Sequence, residues 1–453
     1  MNENICALAT APGGALGIIR ISGEQSLEIL SHIFSKDLTN AQPNTIHYGH
    51  IVEYDAVLQH QSPLDEVMVS IFRAPHSYTG EDSVEISCHG SAYILNKVLE
   101  LLVQNGCRMA RPGEFTQRAY LNGKMDLSQA EAVADLIAST NRATHQMAMS
   151  QLRGGISTEL SRLREQLLKL TSLLELELDF SDHEDLEFAD RNELMELAKN
   201  IDSHITRLAK SFETGQALKQ GIPVAIVGKT NVGKSTLLNA LLRDDRAIVS
   251  DIQGTTRDTI EDTIDINGIT FRFIDTAGIR QTTDEVEQIG ISRTYAAIEK
   301  ARIVLWLIDE EPSRKELSRM ILRSENKQLI AIRNKIDKEG NKPFTLANIP
   351  LIDISAKYKQ GLSELESAIY KAANIPALQE SDIIVTNARH YDALCRAQAH
   401  LQRVVDGLQM QLSGDLLSED LRQVLDTLAE ITGGQITPNE VLGNIFKNFC
   451  VGK

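Results

Sequence analysis

The chain has 453 residues, 42% of them hydrophobic, and a formal net charge of −16. This length exceeds what a single hydrophobic core serves, so we expect roughly two to four domains in an ordinary soluble protein. The acidic balance excludes non-specific binding to nucleic acid by the chain as a whole, because phosphate contacts require lysine and arginine. An RNA role therefore needs a local basic patch or a basic partner.

Neither the cysteine pattern nor the hydropathy indicates a metal framework or a membrane. The five cysteines are scattered without a C-x-x-C pair, so we expect neither a zinc site nor disulfides. No apolar run approaches the roughly 20 residues that span a bilayer, and the sequence starts without a basic leader. We expect a cytoplasmic protein that makes no membrane contact.

Residues 1–118 mix short β-like runs with glycine-rich turns. The runs at 17–21 and 66–71 have the composition of strands. Breaks at 12–14 and 79–80 punctuate them. We predict a small α+β domain over residues 1–118.

Residues 119–215 have the periodicity of helices. Ser128 and Glu131 have the spacing of a capping box at a helix start. Leucines recur every three or four residues across 160–174, and apolar residues do so across 194–208, which gives each helix one apolar face. The acidic stretch 175–190 between them is predicted to be a solvated connection rather than a metal site.

Residues 216–375 alternate apolar β-like runs with helical ones. The β-like runs lie at 222–227, 269–275, 302–308, 327–333 and 349–354. This alternation predicts a mostly parallel sheet with helices on both faces. Residues 376–453 are helical again, so the simplest architecture inserts this α/β domain into a helical domain formed by 119–215 and 376–453.

A phosphate-binding loop is the clearest chemical motif. Residues 228–235 spell G-x-x-x-x-G-K-S between an apolar run and a helix-like run, which is the strand–loop–helix context that the motif requires. Its glycines let backbone N–H groups converge on phosphate oxygens. Lys234 is expected to reach the β- and γ-phosphates, and the Ser235 hydroxyl is expected to bind Mg²⁺.

Four further motifs indicate that the nucleotide is GTP. The aspartate of D-T-A-G at 275–278 suits a water-mediated Mg²⁺ contact, and the threonines of G-T-T-R-D at 254–258 can close over Mg²⁺ and the γ-phosphate. The aspartate of N-K-I-D at 334–337 can accept from guanine N1–H and N2–H, which adenine lacks, and S-A-K at 355–357 can offer backbone N–H to guanine O6. The predicted GTP-binding residues are Asn231, Val232, Gly233, Lys234, Ser235, Thr236, Ser250, Asp251, Ile252, Gln253, Gly254, Thr255, Thr256, Asp275, Thr276, Ala277, Gly278, Asn334, Lys335, Asp337, Ser355 and Ala356.

The residue after D-T-A-G is Ile279, where many small GTPases place a water-orienting glutamine. An isoleucine cannot orient water, and the phosphate loop offers no arginine finger. Other groups must therefore orient the water and offset the charge of the transition state. Candidates for orienting the water are Gln281, Asp284, Glu285 and Glu287.

Several stretches distinguish this chain from GTPases in general. They are Asn231 within the phosphate loop, G-T-T-R-D at 254–258, F-C-V-G-K at 449–453, and, outside the α/β domain, G-I-I-R-I-S-G at 17–23, Y-T-G-E-D at 78–82, R-P-G-E-F at 111–115 and N-G-K-M-D-L at 122–127. From end to end, the chain resembles the MnmE (TrmE) family of tRNA-modification GTPases.

The resemblance implies a potassium ion in the GTP site. Asn231 would hold it against the phosphates, together with backbone oxygens near Ser250, Ile252 and Thr255. The cation would take the place of an arginine finger.

The resemblance also implies the Mg²⁺ ligands and the group that orients water. Ser235 and Thr256 match the Mg²⁺ ligands, and Glu287 matches the water-orienting acid, acting through a bridging water. Without the resemblance, Glu287 is better explained as the start of a solvated helix.

In the 1–118 domain, the resemblance implies a site for 5-formyltetrahydrofolate or a related one-carbon folate. Arg20, Glu85, Lys124 and Lys453 match its contacts, and these residue types suit a polar pterin edge and an anionic glutamate tail. Two interpretations stay open for Cys450, a catalytic or redox role and a buried thiol, and the buried thiol is favoured.

The activity implied is that of a potassium-dependent, homodimeric GTPase that works on tRNA. With an FAD- and NADH-using partner of the MnmG (GidA) type in a heterotetramer, such a protein adds an aminomethyl or carboxymethylaminomethyl group at C5 of the wobble uridine of certain tRNAs. The alternative is an Era-like GTPase switch in ribosome assembly or signalling. Against the alternative, the sequence has no obvious basic RNA-binding appendage.

Overall fold

The computed structural model describes most of the chain as two compact units. The described residues are 3–55, 60–179, 191–242, 262–274, 295–338, 343–346, 349–375, 383–434, 439–447 and 449–452. The first unit draws on 1–138, 148–206 and 392–453, and the second on 139–147 and 207–391. The domain limits predicted at 118, 215 and 375 stay predictions.

The elements alternate along the chain in the way the sequence patterns indicate. The strands are β1 (Asn4–Leu8), β2 (Leu16–Ser22), β3 (Thr45–Asp55), β4 (His60–Phe72), β5 (Ser83–His89), β6 (Cys107–Met109), β7 (Ile222–Gly228), β8 (Asp262–Ile266), β9 (Ile269–Phe273), β10 (Ile303–Ile308), β11 (Gln328–Arg333) and β12 (Leu351–Asp353). The helices are α1 (Ser26–Ile33), α2 (Ala92–Gln104), α3 (Glu114–Leu121), α4 (Leu127–Ala138), α5 (Arg142–Leu152), α6 (Gly155–Asp179), α7 (Arg191–Gln220), α8 (Lys234–Leu242), α9 (Arg314–Arg323), α10 (Leu362–Ala372), α11 (Ala388–Gln409), α12 (Gly414–Thr432) and α13 (Asn439–Phe446).

The first unit contains a mixed sheet in the order β3-β4-β5-β2-β1-β6. β6 runs parallel to β1, and the other neighbouring strands are antiparallel. Alternate residues such as Ile19, Ile21, Val84 and Ile86 are buried against the apolar faces of α1 and α2. The strands predicted at 17–21 and 66–71 lie within β2 and β4 and are confirmed.

The long helices of the first unit bury the apolar faces that their periodicity predicts. In α6, the leucines at 160, 163, 167, 170 and 174 are all buried. The predicted capping box of Ser128 and Glu131 is wrong, because α4 already begins at Leu127. Asp126 caps this helix instead: its Oδ1 accepts from the Gln129 N–H at 2.9 Å, and Gln129 Oε1 accepts from the Asp126 N–H at 2.9 Å.

The second unit contains a sheet in the order β12-β11-β10-β7-β9-β8. All neighbours are parallel except β8 and β9, so the prediction of a mostly parallel sheet is confirmed. Both faces are buried: Val224 and Leu305 lie in one apolar cluster with α8 and α10, and Val227 and Val304 lie in another. This explains why the central strands are continuous apolar runs rather than alternating ones.

The parallel strands of this sheet end at one edge, where ligands bind in open α/β folds. β7, β11 and β12 end at Gly228, Arg333 and Asp353, and a sequence motif begins at or shortly after each of those residues. Among the described residues, we find no helix with the length and apolar character needed to span a membrane.

Candidate functional site

The phosphate loop connects the end of β7 to the first turn of α8 through a backbone that only certain residues adopt. Gly233 has a φ of 104°, and a Cβ there would lie 2.4 Å from Asn334 Nδ2, so only glycine fits. Asn231 has a φ of 61°, in the left-handed region that asparagine tolerates better than most residues. The loop motif is therefore required by geometry as well as by chemistry.

Lys234 is the first residue of α8, and its ammonium lies against the loop. Nζ donates to the carbonyl oxygens of Gly228 and Lys229, each at 2.8 Å. Burial lowers the pKa of Lys234, because it disfavours the charged form. Ser235 and Thr236 follow in the same first turn, where backbone N–H groups at a helix start favour an anion. The loop thus places a cation and a helix N-terminus where phosphate was predicted.

Asn334 joins the phosphate loop to the loops that follow β11 and β12. Its side chain is 3% exposed. Nδ2 donates to the carbonyl oxygen of Val232 at 2.8 Å, and Oδ1 accepts from the Ala356 N–H at 3.1 Å. A single buried amide therefore fixes three motif segments relative to one another.

Asp337 and Ser355 form the adjoining pair. The Ser355 hydroxyl, fully buried, donates to Asp337 Oδ1 at 2.6 Å. This hydrogen bond is the main reason that the pKa of Asp337 lies below its ordinary value. The carboxylate is ionised and keeps lone pairs for other donors, which is what a pair of guanine N–H groups requires.

Lys335, between Asn334 and Asp337 in the sequence, is held by two oxygens. Its Nζ donates to the carbonyl oxygen of Asn231 at 2.7 Å and to Asp309 Oδ2 at 2.6 Å. The structure thus brings Asn231, Lys335 and the neighbouring motif residues to one edge of the sheet.

In the first unit, Arg20 and Glu85 lie opposite each other on β2 and β5. Arg20 Nη2 and Glu85 Oε1 are 2.7 Å apart, and Arg20 Nη1 donates to the carbonyl oxygen of Gly452 at 3.0 Å. The guanidinium also lies 5.7 Å from the ring centre of Tyr78 and 5.6 Å from that of Phe115. Arg20 and Glu85 were predicted from the sequence, whereas neither aromatic ring was.

The segment 449–452 is bound to this part of the first unit. Gly113 N–H donates to the carbonyl oxygen of Cys450 at 3.3 Å. Gly452 is buried with a φ of 94°, and a Cβ there would lie 2.3 Å from the carbonyl oxygen of Leu8. Residue Cys450 is exposed, so the favoured expectation of a buried thiol is wrong: the backbone is fixed while the side chain faces outward.

Lys124 is placed beside the same region by a different contact. Its Nζ donates to the carbonyl oxygen of Pro75 at 2.8 Å. A Cβ on Gly80 would lie 3.4 Å from the Lys124 stem, so the lysine packs along the loop that also carries Tyr78. Lys124 and Arg20 therefore both contact residues of the 75–82 loop.

Comparison with known proteins identifies the family. The model described as the GTP-binding protein TrmE N-terminus matches residues 4–124, and that of the MnmE helical domain matches 127–450. The tRNA modification GTPase MnmE of Phocaeicola vulgatus is 54% identical, over 100% of this chain and 99% of that one. The protein of the same name from Bacteroides thetaiotaomicron is 54% identical over the whole of both chains. The chain belongs to the MnmE family.

For this MnmE-family chain, the predicted fold class is confirmed: an N-terminal α+β domain, a helical domain and an inserted P-loop GTPase domain. Among solved structures, the G domain of the T. maritima FeoB iron transporter is 26% identical over 34% of this chain and 98% of that one. The TM-score of this match is 0.26.

Part of the predicted MnmE-type site lies outside the described residues. This part comprises Ser250, Asp251, Ile252, Gln253, Gly254, Thr255, Thr256, Asp275, Thr276, Ala277, Gly278, Gln281, Asp284, Glu285, Glu287 and Lys453. Their roles stay predictions.

A buried ion network in this MnmE-family chain was missed by sequence analysis. Arg118, 2% exposed, donates from Nη1 to Glu81 Oε2 at 2.8 Å, and Arg108 Nη2 donates to Glu114 Oε1 at 2.6 Å. Burial alone would raise the pKa of Glu114, but hydrogen bonds from Arg108 and from the Arg111 N–H outweigh it and hold the pKa at about 2. The sequence pattern that could have indicated this network is the i, i+4 spacing of Glu114 and Arg118, which lie on the same short helix as Phe115.

Proposed function

We propose that this chain hydrolyses GTP at the loop that ends in Lys234 and Ser235, and that the hydrolysis drives tRNA modification. The observation that supports this most directly is Asn334, which ties the phosphate loop to the segment carrying Asp337 and Ser355. A fixed spacing between phosphate and base contacts suits a nucleotide, and the Asp337 carboxylate, which can accept from guanine N1–H and N2–H, suits guanine. Lys234→Ala should abolish GTP binding measured by titration calorimetry, and unchanged binding would refute the site.

The proposed metal ligands are oxygens, which suit hard cations. The Ser235 hydroxyl in the first turn of α8, with Thr256, would hold Mg²⁺, and Asn231, with backbone oxygens of Ser250, Ile252 and Thr255, would hold K⁺. The left-handed backbone of Asn231 supports a special role for this loop position. Both ions would supply positive charge beside the phosphates, while Glu287 would orient water.

The potassium proposal is tested by salt exchange. Turnover of GTP should rise sharply when potassium replaces sodium at equal ionic strength. Asn231→Ala should remove most of that difference while it retains GTP binding. Equal turnover of the unaltered chain in both salts would refute the assignment of Asn231.

A one-carbon folate is the proposed ligand of the first unit. Its anionic tail fits the basic character of Arg20 and Lys124, with Lys453, and the Glu85 carboxylate suits a donor edge of the pterin. The rings of Tyr78 and Phe115 beside Arg20 add apolar surface for a flat ligand. Binding of 5-formyltetrahydrofolate should be lost in Glu85→Gln, and unaltered affinity would contradict the site.

The proposed product is a wobble uridine carrying an aminomethyl or carboxymethylaminomethyl group at C5. The chain would act in the cytoplasm as a homodimer, in complex with an FAD- and NADH-dependent MnmG-type protein. This supplies the basic or RNA-binding partner that a net charge of −16 calls for. Cys450, exposed and beside the Arg20 segment, is the proposed catalytic or redox thiol.

Analysis of wobble nucleosides tests this assignment against a GTPase switch. A strain that lacks the gene should lose the modification, and the intact chain should restore it. Lys234→Ala should fail to restore it. Normal modification in the deletion strain would favour the Era-like alternative.

A further inference from the structure

Asp309 follows the last residue of β10 and contacts a lysine of the GTP site. Its Oδ2 lies 2.6 Å from Lys335 Nζ, which also donates to the carbonyl oxygen of Asn231 at 2.7 Å. The Lys335 side chain is 23% exposed and the Asp309 side chain is 34% exposed, so the pair is partly shielded from water. Asp309 therefore reaches the phosphate loop through one intervening ammonium.

The two residues joined by that ammonium both have unusual backbones. Lys335 has a φ of 64° and Asn231 a φ of 61°. The left-handed region is unfavourable for residues with a Cβ, and lysine lacks the short polar side chain that lets asparagine enter it. Such conformations persist only where surrounding contacts hold them. The bonds from Lys335 Nζ are contacts of that kind.

We propose that Asp309 is a positioning residue for GTP binding. Its carboxylate holds Lys335 Nζ on the Asn231 carbonyl and so presets the phosphate loop and the guanine-recognition segment before nucleotide arrives. Preorganisation of this kind raises affinity because less ordering remains to be done on binding. The inference rests on the GTP site proposed above.

Simple electrostatics predicts the opposite effect. GTP carries several negative charges, and a carboxylate near its phosphates repels it, most strongly at low salt. Three other acids lie in the same segment, Glu310, Glu311 and Glu316, and Glu316 pairs with Lys229 of the phosphate loop at 2.8 Å. If Asp309 acted only through its charge, its removal would tighten GTP binding. The sign of the change therefore separates the two explanations.

The test compares Asp309→Asn with Glu310→Gln in the 453-residue chain. We expect Asp309→Asn to weaken GTP and GDP binding about 2- to 5-fold, the range for a partly exposed charged pair. The kcat at saturating GTP should stay within about twofold of the unaltered value, because the pair acts on the ground state. Glu310→Gln removes the same charge one residue away and should bind GTP equally or more tightly.

Lys335→Met supplies the second measurement. Because Asp309 is proposed to act through Lys335, Asp309→Asn should cause no further loss of affinity in the Lys335→Met background. A full additional loss there would overturn the proposal. So would Asp309→Asn binding GTP as tightly as the unaltered chain, or more tightly.

A fourth variant, Lys234→Ala, distinguishes failure of this inference from failure of the GTP site. If Lys234→Ala abolishes GTP binding while Asp309→Asn leaves it unchanged, the site stands and only the role of Asp309 falls. If Lys234→Ala binds GTP normally, the site itself is wrong.

Discussion

Replacing Asp337 with asparagine should exchange the base preference of the GTP site. Ser355 Oγ donates to Asp337 Oδ1 at 2.6 Å, and a hydroxyl in this place holds the amide oxygen of an asparagine in the same position. The amide nitrogen then faces the base. It is a donor, and so are the guanine N–H groups opposite it, so no hydrogen bond forms between them. Xanthine carries a carbonyl at C2, which accepts from that nitrogen.

The magnitude follows from the bonds that change. Asp337→Asn removes two hydrogen bonds to an ionised acceptor, each worth about 10- to 100-fold in affinity. GTP binding should therefore weaken about 10²- to 10⁴-fold, and XTP should bind more tightly than GTP. Competition of fluorescent nucleotide with GTP and XTP measures both affinities, and turnover with each nucleotide shows whether hydrolysis follows binding.

Ser355→Ala provides the matched control. In the Asp337→Asn background, it frees the amide to turn its oxygen towards the base, so the preference for XTP should narrow. A GTP affinity in Asp337→Asn within about twofold of the unaltered chain would refute the assignment of Asp337. An unchanged preference after Ser355→Ala would refute the role given to the hydroxyl.

Three further predictions concern the GTP site, the stability of the fold and the folate site. Asn334→Ala should weaken GTP binding more than 10-fold and lower the free energy of unfolding by about 2 kcal/mol, because it leaves two buried backbone groups unpaired. Glu114, with a pKa of about 2 against an ordinary 4.5, should stabilise the fold by on the order of 3 kcal/mol at neutral pH. Because its pKa is depressed, this contribution is present above about pH 4.5 and is lost as pH falls towards 2. Glu114→Gln should therefore have a lower free energy of unfolding in urea than the unaltered chain at neutral pH. This difference in free energy should shrink as the pH falls from 4.5 to 2. Gly452→Ala should displace the segment from Leu8 and weaken folate binding, since the left-handed φ and the 2.3 Å approach both exclude a Cβ.

Each of these has a clear contrary result. GTP affinity of Asn334→Ala equal to that of the unaltered chain would mean that the loops hold their places without it. A Glu114→Gln deficit that is constant from pH 7 to pH 3 would mean that the carboxylate charge contributes nothing. Gly123→Ala is the comparison, because Gly123 is also left-handed but has open space where a Cβ would lie. If Gly452→Ala leaves the folate affinity unchanged, the segment 449–452 does not belong to the site.

Local patterns in the sequence predicted much of the GTP-binding sheet, because local physics determines them. Apolar runs marked the parallel strands, and the motif glycines marked positions that no other residue fits, as Gly233 shows. Asn334 and Asp337 were predicted from their place after an apolar run. The hydrogen bonds that join them to Val232 and Ser355 follow from the way parallel strands end at one edge.

Contacts between distant parts of the chain were not predictable from local pattern. Arg20 and Gly452 are 432 residues apart, and no spacing relates them. The resemblance to a family grouped Arg20 with Lys453, the residue next to Gly452, but did not predict this contact. Asp309 was missed because one acidic residue after a strand is indistinguishable from a solvated charge until its partner is known. The capping box was misplaced by two residues, since Asp126 and Gln129 satisfy the same pattern as Ser128 and Glu131.

The double hydrogen bond of Asn334 has a consequence for how nucleotide leaves. Because one amide serves both the Val232 carbonyl and the Ala356 N–H, the segment over the phosphates and the segment beside the base cannot open one at a time without breaking it. Release of product should then be a single concerted opening. Stopped-flow displacement of fluorescent GDP should follow one exponential, and splitting into two phases in Asn334→Ala would reveal the separate motions that this residue suppresses.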